Sequence, residues 1–215
     1  TGQSFGGLMA SGLLNVVGEH MNGLQIAGIA NITASKLNGV QVALCNYATK
    51  ARGLQIGLVN YYKEDMKGFQ LGLVNANPDT KVQMMVYGGN ATPANIGVRF
   101  KNQLFYTILG VGSMYQGLND KFSASASYRA GLSFPLYKGL SISGDLGYQH
   151  IEAFDNKDEV IPKRLYALQA RANLEYQFTK KFGIFATGGY GVTRFYNKSS
   201  NYDKGAIIEA GIVLF

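Results

Sequence analysis

Apolar and polar positions alternate with a period of two over most of this chain, the spacing that puts successive side chains on opposite faces of a β-strand. Residues 122–134 are the longest unbroken case. Phe122, Ala124, Ala126, Tyr128, Ala130, Leu132 and Phe134 share one face, and Ser123, Ser125, Ser127, Arg129, Gly131 and Ser133 share the other. Residues 140–149 and 166–178 follow the same rule, with Asp145 opposed to Leu146, and Gln169, Arg171, Asn173 and Glu175 opposed to Leu168, Ala170, Ala172 and Leu174. Such strands are long for a small sandwich. Aromatic residues close the apolar faces, Phe122 and Phe134 on one strand and Tyr166, Tyr176 and Phe178 on another, as girdles do at two bilayer interfaces.

Upstream, the alternation is written as a repeat. GVQVALCN, GLQIGLVN and GFQLGLVN start at Gly39, Gly53 and Gly68 and close at Asn46, Asn60 and Asn75, with looser copies at 7–15 and 23–31. Counting a worn copy at 81–90, the period is 13 to 16 residues. Leu54, Ile56 and Leu58, like Phe69, Leu71 and Leu73, fall on the apolar face, whereas Gln25, Gln41, Gln55 and Gln70 fall on the small polar face. An oblique bilayer crossing takes roughly 9–11 residues, so one crossing per repeat is expected, with the leucines toward lipid. A solenoid with one coil per repeat and its leucines stacked inward fits the same spacing. A soluble β-solenoid or barrel at the cell surface is therefore an alternative.

The repeats resemble those of Leptospira-type surface-repeat proteins, a family of exported bacterial proteins with tandem GLQIGLVN-like units. The resemblance covers residues 7–75 well and 81–90 poorly, and implies a surface or outer-membrane setting without a catalytic motif. Gly205–Phe215 ends on a phenylalanine within a strand pattern, resembling the signal by which Gram-negative outer-membrane barrels reach their assembly machinery. Counting back in twos from Phe215 meets Glu209, which interrupts an apolar face unless a bulge near Gly211 restores the register.

Composition agrees with many strands: 215 residues hold 28 glycines, 14 tyrosines, 12 phenylalanines and only four prolines. Mean hydropathy is near zero, which says little because barrels hide their apolar surface in alternation. The sequence starts at Thr1 without a methionine or an apolar leader, so any secretory signal is expected to have been removed, and export is argued only from the rest of the chain. The fold predicted is all-β, a single antiparallel transmembrane β-barrel over 1–215 with about 14 strands, 12 as the alternative, and short turns. Its repeat-bearing part is 7–90 and its non-repeat strands occupy 94–215.

Catalytic chemistry finds no footing. The two histidines, His20 and His150, lack Cys/His/carboxylate spacing for a metal. Gly188-Gly189-Tyr190-Gly191 lies inside a strand pattern with no helix to follow, so it is no phosphate loop. The net charge of +7 is spread rather than clustered with stacking aromatics, which argues against nucleic acid. No cofactor, metal or enzymatic activity is expected. The residues expected to face a lumen, as a plug or a selectivity wall, are Gln25, Gln41, Gln55, Gln70, Arg99, Arg129, Asp145, Gln169, Arg171 and Glu175. Arg99, Lys101, Arg129 and Arg171 outnumber Asp145 and Glu175, which would favour anions in an open pore. Leu54, Ile56, Leu58, Phe69, Leu71, Leu73, Ala126 and Tyr128 are expected to face lipid. The partners expected are membrane lipid, the barrel assembly machinery, and other outer-membrane proteins or lipoproteins. The role expected is a structural or accessory subunit of a cell-surface complex, with a passive channel for small polar or anionic solutes as the alternative.

Overall fold

The computed structural model describes residues 3–113, 115, 118, 122–154, 164–196 and 201–215. Every regular element among them is a strand, and the chain divides into two compact units, Thr1–Thr80 and Lys81–Phe215. The single barrel of about 14 strands predicted from the sequence is not what forms.

The first unit is a parallel β-solenoid. Its strands are β1 (Phe5–Ser11), β2 (Leu14–Val17), β3 (His20–Ala27), β4 (Ala30–Val42), β5 (Cys45–Ile56), β6 (Val59–Leu71) and β7 (Val74–Ala76). Equivalent letters of the repeat pair directly, Gly39 with Gly53 and Gln41 with Gln55, then Gly53 with Gly68 and Gln55 with Gln70. β4, β5 and β6 each bend midway, at a register shift between Thr33 and Lys36 or between Ala48 and Lys50, so each coil has two straight runs joined by corners. Identical neighbours one period apart can all be satisfied in parallel register, and this is why the repeat stacks instead of crossing back and forth.

Each repeat position has a physical task. Gly53 sits at φ +126°, and a Cβ there would lie 2.0 Å from the Gly39 carbonyl oxygen, so only glycine allows the coils to approach. Asn46 points inward and donates to the Ile56 carbonyl (2.7 Å), tying one coil end to the next. Val17, Met21, Leu37, Ala48 and Ala51 fill the rest of a narrow core.

The second unit is a closed antiparallel barrel of eight strands: β8 (Lys81–Gly89), β9 (Ala94–Asn102), β10 (Phe105–Ser113), β11 (Ser123–Tyr137), β12 (Leu140–Ala153), β13 (Arg164–Gln177), β14 (Phe182–Phe195) and β15 (Asn201–Leu214). β15 closes on β8 through Glu209–Leu214. Connections at 103–104, 138–139 and 178–181 join strands at one end, and those after β8, β10, β12 and β14 lie at the other, the loop end. The charged run predicted as a loop at 155–159 lies outside the described residues. β8, β9 and β10 have nine residues each, and β11 to β15 have 14 or 15, so the wall stands taller on one side at the loop end.

β15 corrects the expected C-terminal register. Glu209 and Val213 are buried, Ile208 is exposed, and pairing with β8 is continuous past Gly211 without a bulge. The face counted back from Phe215 is the inner one, and Phe215 packs on the buried cluster of Met85, Tyr87, Tyr106, Ile108, Phe185 and Val213. The apolar outer face is the alternate set, Ile208, Ala210, Ile212 and Leu214.

Candidate functional site: the interior of the barrel

Eight strands enclose a lumen only wide enough for side chains to fill it. Alternation turns Gln83, Arg99, Arg129, Asp145, Gln169, Arg171, Asn173, Glu175 and Glu209 inward, and all are buried. Three arginines meet three carboxylates. Arg99 forms a two-pronged pair with Glu175 (2.6 and 3.0 Å) and also donates to Gln83 Oε1 (2.6 Å). Arg129 forms another with Asp145 (2.8 Å on each prong) and reaches Glu209 at 3.5 Å. Arg171 lies 3.2 Å from Glu209 and donates to Gln169 Oε1 (2.6 Å).

Neutral groups take up further lone pairs of Asp145. The Tyr106 hydroxyl and the Asn173 amide each donate to Asp145 at 2.8 Å, and Thr187 donates to Asn173 at 2.6 Å. Around Arg99 and Arg129 the arrangement meets the requirement on buried ions, since a paired charge with further hydrogen bonds avoids the large penalty of an isolated one. Arg171 is hydrogen-bonded through Nη2 alone, and its Nε and Nη1, like Gln83 Nε2, are buried without a hydrogen-bond partner.

The basic excess expected from the sequence does not exist at this waist, because Glu209 joins Asp145 and Glu175 on the inner wall. Lys101, the fourth cation, stands near the turn end and donates to Ser133 Oγ (2.8 Å). A hollow of about 430 Å³ lies at the loop end beside Tyr115, Gln169, Thr193 and Ile207, and one of about 380 Å³ at the turn end beside Lys81, Gln83, Lys101 and Phe215. Between them the residual space bounded by Arg99, Tyr106, Arg129, Asn173 and Glu175 is about 10 Å³, at or below the roughly 10–15 Å³ that a single water needs.

Gln25, Gln41, Gln55 and Gln70 do not share this lumen. They line the solenoid core as a ladder, each amide donating to the preceding one at 2.8 Å. Antiparallel crossings would have set them at alternating heights, but parallel stacking sets them in one row. A second ladder that sequence reasoning did not nominate runs beside it, Asn15, Asn31, Asn46, Asn60 and Asn75, with amide contacts of 2.9 to 3.0 Å. Its signal was present, since asparagine closes every copy of the repeat.

The expected lipid-facing residues fall in two places. Ala126 is exposed and Tyr128 half-buried on the outside of the barrel. Ile56, Leu58, Phe69, Leu71 and Leu73 are exposed and Leu54 half-buried on the outside of the solenoid. They are neither a barrel wall nor stacked in a dry interior.

On the outer surface at the loop end, Tyr148, Tyr166 and Tyr196 cluster with His150. Tyr196 is hydrogen-bonded to Tyr148 and lies 2.7 Å from His150 Nδ1, while Glu152 accepts from Arg164 at 3.1 Å. Burial and the Tyr148 hydroxyl push the Tyr196 phenol above its ordinary value. Among the described residues no group of three or more His, Cys, Asp or Glu side chains could hold a metal ion.

No protein-family model matches the chain, and no curated protein sequence matches it. Among solved structures, the chain is similar to the N-terminal β-barrel domain of Pseudomonas aeruginosa OprF, at 15% identity and a TM-score of 0.43 over 62% of this chain and 93% of that one. Neisserial surface protein A is similar at 9% identity and a TM-score of 0.38, covering 62% and 92%. Ail, the attachment invasion locus protein of Yersinia pestis, is similar at 16% identity and a TM-score of 0.34, covering 62% and 92%.

Proposed function

We propose that residues 81–215 are a non-conducting barrel of the bacterial outer membrane and that the protein acts there as a structural or accessory component, without catalysis. The observation that carries this reading is the waist of the lumen, where three buried arginines and three buried carboxylates neutralise one another and, among the described residues, leave about 10 Å³ beside them. The outer wall supports the membrane setting. Leu146, Leu168, Ile184 and Ile208 are exposed there, and Tyr148, Tyr166 and Tyr196 gather at one end as interfacial aromatics do. Nine residues in each of β8, β9 and β10 are about what an oblique crossing takes. In this reading the partners are membrane lipid, the assembly machinery during biogenesis, and other outer-membrane proteins or lipoproteins.

The deciding measurement is conductance of the purified protein in a planar bilayer. The expected record is flat, at the level of protein-free lipid. Stepwise openings whose reversal potential in a salt gradient moves toward cations in Arg129→Gln/Arg171→Gln would establish the channel for small solutes instead.

A further inference from the structure

The solenoid is amphipathic across its width. At one corner of the coils, Ile29, Leu44 and Leu58 form an exposed column, flanked on one side by Ile26, Ile56 and Leu71. Phe69, in the next column, is 75% exposed. The opposite corner and the run beside it carry Lys36, Lys50, Arg52, Lys63 and Lys67 against Glu19, Glu64 and Asp65, with Glu64 paired to Lys50 at 3.2 Å. Between the two, on the coil's other run, Tyr47 stacks on Tyr61 with ring centroids 5.8 Å apart.

Water-soluble coils would put these leucines inside. Here the inside is taken by the Gln and Asn ladders, which satisfy the corner carbonyls and leave the apolar letters of the repeat no place but the surface. Contiguous exposed apolar surface of this kind marks an interaction site.

We infer that this apolar corner of the solenoid is a lipid-inserting edge, immersed to the headgroup–acyl boundary of the bilayer that holds the barrel. The inference rests on the membrane reading of the barrel. Three features select lipid over a protein partner. The apolar rows run along successive coils without a polar interruption, Tyr47 and Tyr61 offer amphipathic rings of the kind that settle at an interface, and the column beside Leu54 and Phe69 carries Arg52 and Lys67, cations suited to anionic headgroups. The parallel ladders satisfy the backbone of the inner coils on both sides, while β1 and the Asp65–Leu71 run of β6 are each paired on one side only, so immersion stops at the headgroup level, where those edges still meet water and headgroups.

Cys45 offers the test. It is the only cysteine, it is exposed, and it adjoins Leu44 on the apolar corner. The full chain is reconstituted in phosphatidylcholine vesicles containing phosphatidylglycerol, with a nitroxide on Cys45. Collision with oxygen is compared with collision with a water-soluble nickel chelate. The same label is placed by Lys50→Cys on the charged corner and by Leu146→Cys on the barrel wall, each in Cys45→Ser. Cys45 is expected to collide mainly with oxygen, as Leu146→Cys does, and Lys50→Cys mainly with nickel. A nickel-dominated Cys45 beside an oxygen-dominated Leu146→Cys overturns the inference and leaves the barrel reading standing. Nickel dominance at both positions removes the membrane reading itself. A Cys45 label shielded from both reagents, with spin–spin broadening that vanishes on dilution with unlabelled protein, assigns the edge to a second copy and also overturns the inference.

Discussion

Single side chains in this protein are coupled, so their removal costs more than their own contacts. Arg129 compensates Asp145 directly and Glu209 at longer range. Arg129→Met strands Asp145 in the packed waist, and breaking a buried pair this way costs about 3–5 kcal/mol. Arg129→Met/Asp145→Leu should recover a large part of that loss, because Arg171 still compensates Glu209. Denaturant unfolding in lipid vesicles measures both, and a double variant no more stable than the single one would mean the network is weaker than its geometry. In the solenoid, Asn46→Ala removes the donor to Ile56 and Asn60 and the acceptor for Asn31. At 1–3 kcal/mol for each buried polar group left unpaired, about 2–4 kcal/mol is expected, against no more than about 0.5 kcal/mol for exposed Lys50→Ala.

At the level of strands and coils, glycine separates close approach from local backbone need. A Cβ on Gly28 would lie 2.1 Å from the Gly12 carbonyl oxygen, whereas a Cβ on Gly12, at the same corner one coil earlier, meets nothing within 4 Å. Gly28→Ala should cost at least about 1–3 kcal/mol through forced backbone displacement, and Gly12→Ala less than about 0.5 kcal/mol. Equal effects on the unfolding midpoint would place a further coil against Gly12. On the barrel wall, Leu146 is mid-strand and 71% exposed. Leu146→Arg should cost about 2–4 kcal/mol in vesicles if this face meets hydrocarbon at the midplane, and Leu146→Ala much less. Strand character and facing were legible from residue 122 onward, because alternation alone places Arg129 and Asp145 opposite Tyr128 and Leu146. Pairing was not legible in the repeats. Period two sends Gln41 and Gln55 to the polar face whether the next run returns antiparallel or stacks parallel, and only identical letters meeting one period apart separate the two. Glu209 was misassigned for a related reason. From Ala206 to Leu214 β15 is apolar on both faces apart from that residue, so the carboxylate read as a flaw in an outer face when it was part of the inner network.

The whole chain divides where the pairing rule changes. Up to Ala76 every ladder is parallel and joins neighbouring coils, and from Lys81 every ladder is antiparallel and closes on itself through β15 and β8. A closed barrel has no edge left to satisfy, and its inner network draws only on residues of its own unit: Arg99, Arg129, Arg171, Asp145, Glu175 and Glu209 all lie beyond residue 80. Residues 81–215 alone should therefore fold into detergent or lipid as a compact, heat-modifiable barrel. Its electrophoretic mobility should shift on boiling, and Arg129→Met should destabilise it by the same few kcal/mol as in the full chain. Failure of 81–215 to fold where the full chain folds, with Arg129→Met still destabilising the latter, would show that the solenoid is needed to form the barrel and that the closure of β15 on β8 is insufficient by itself.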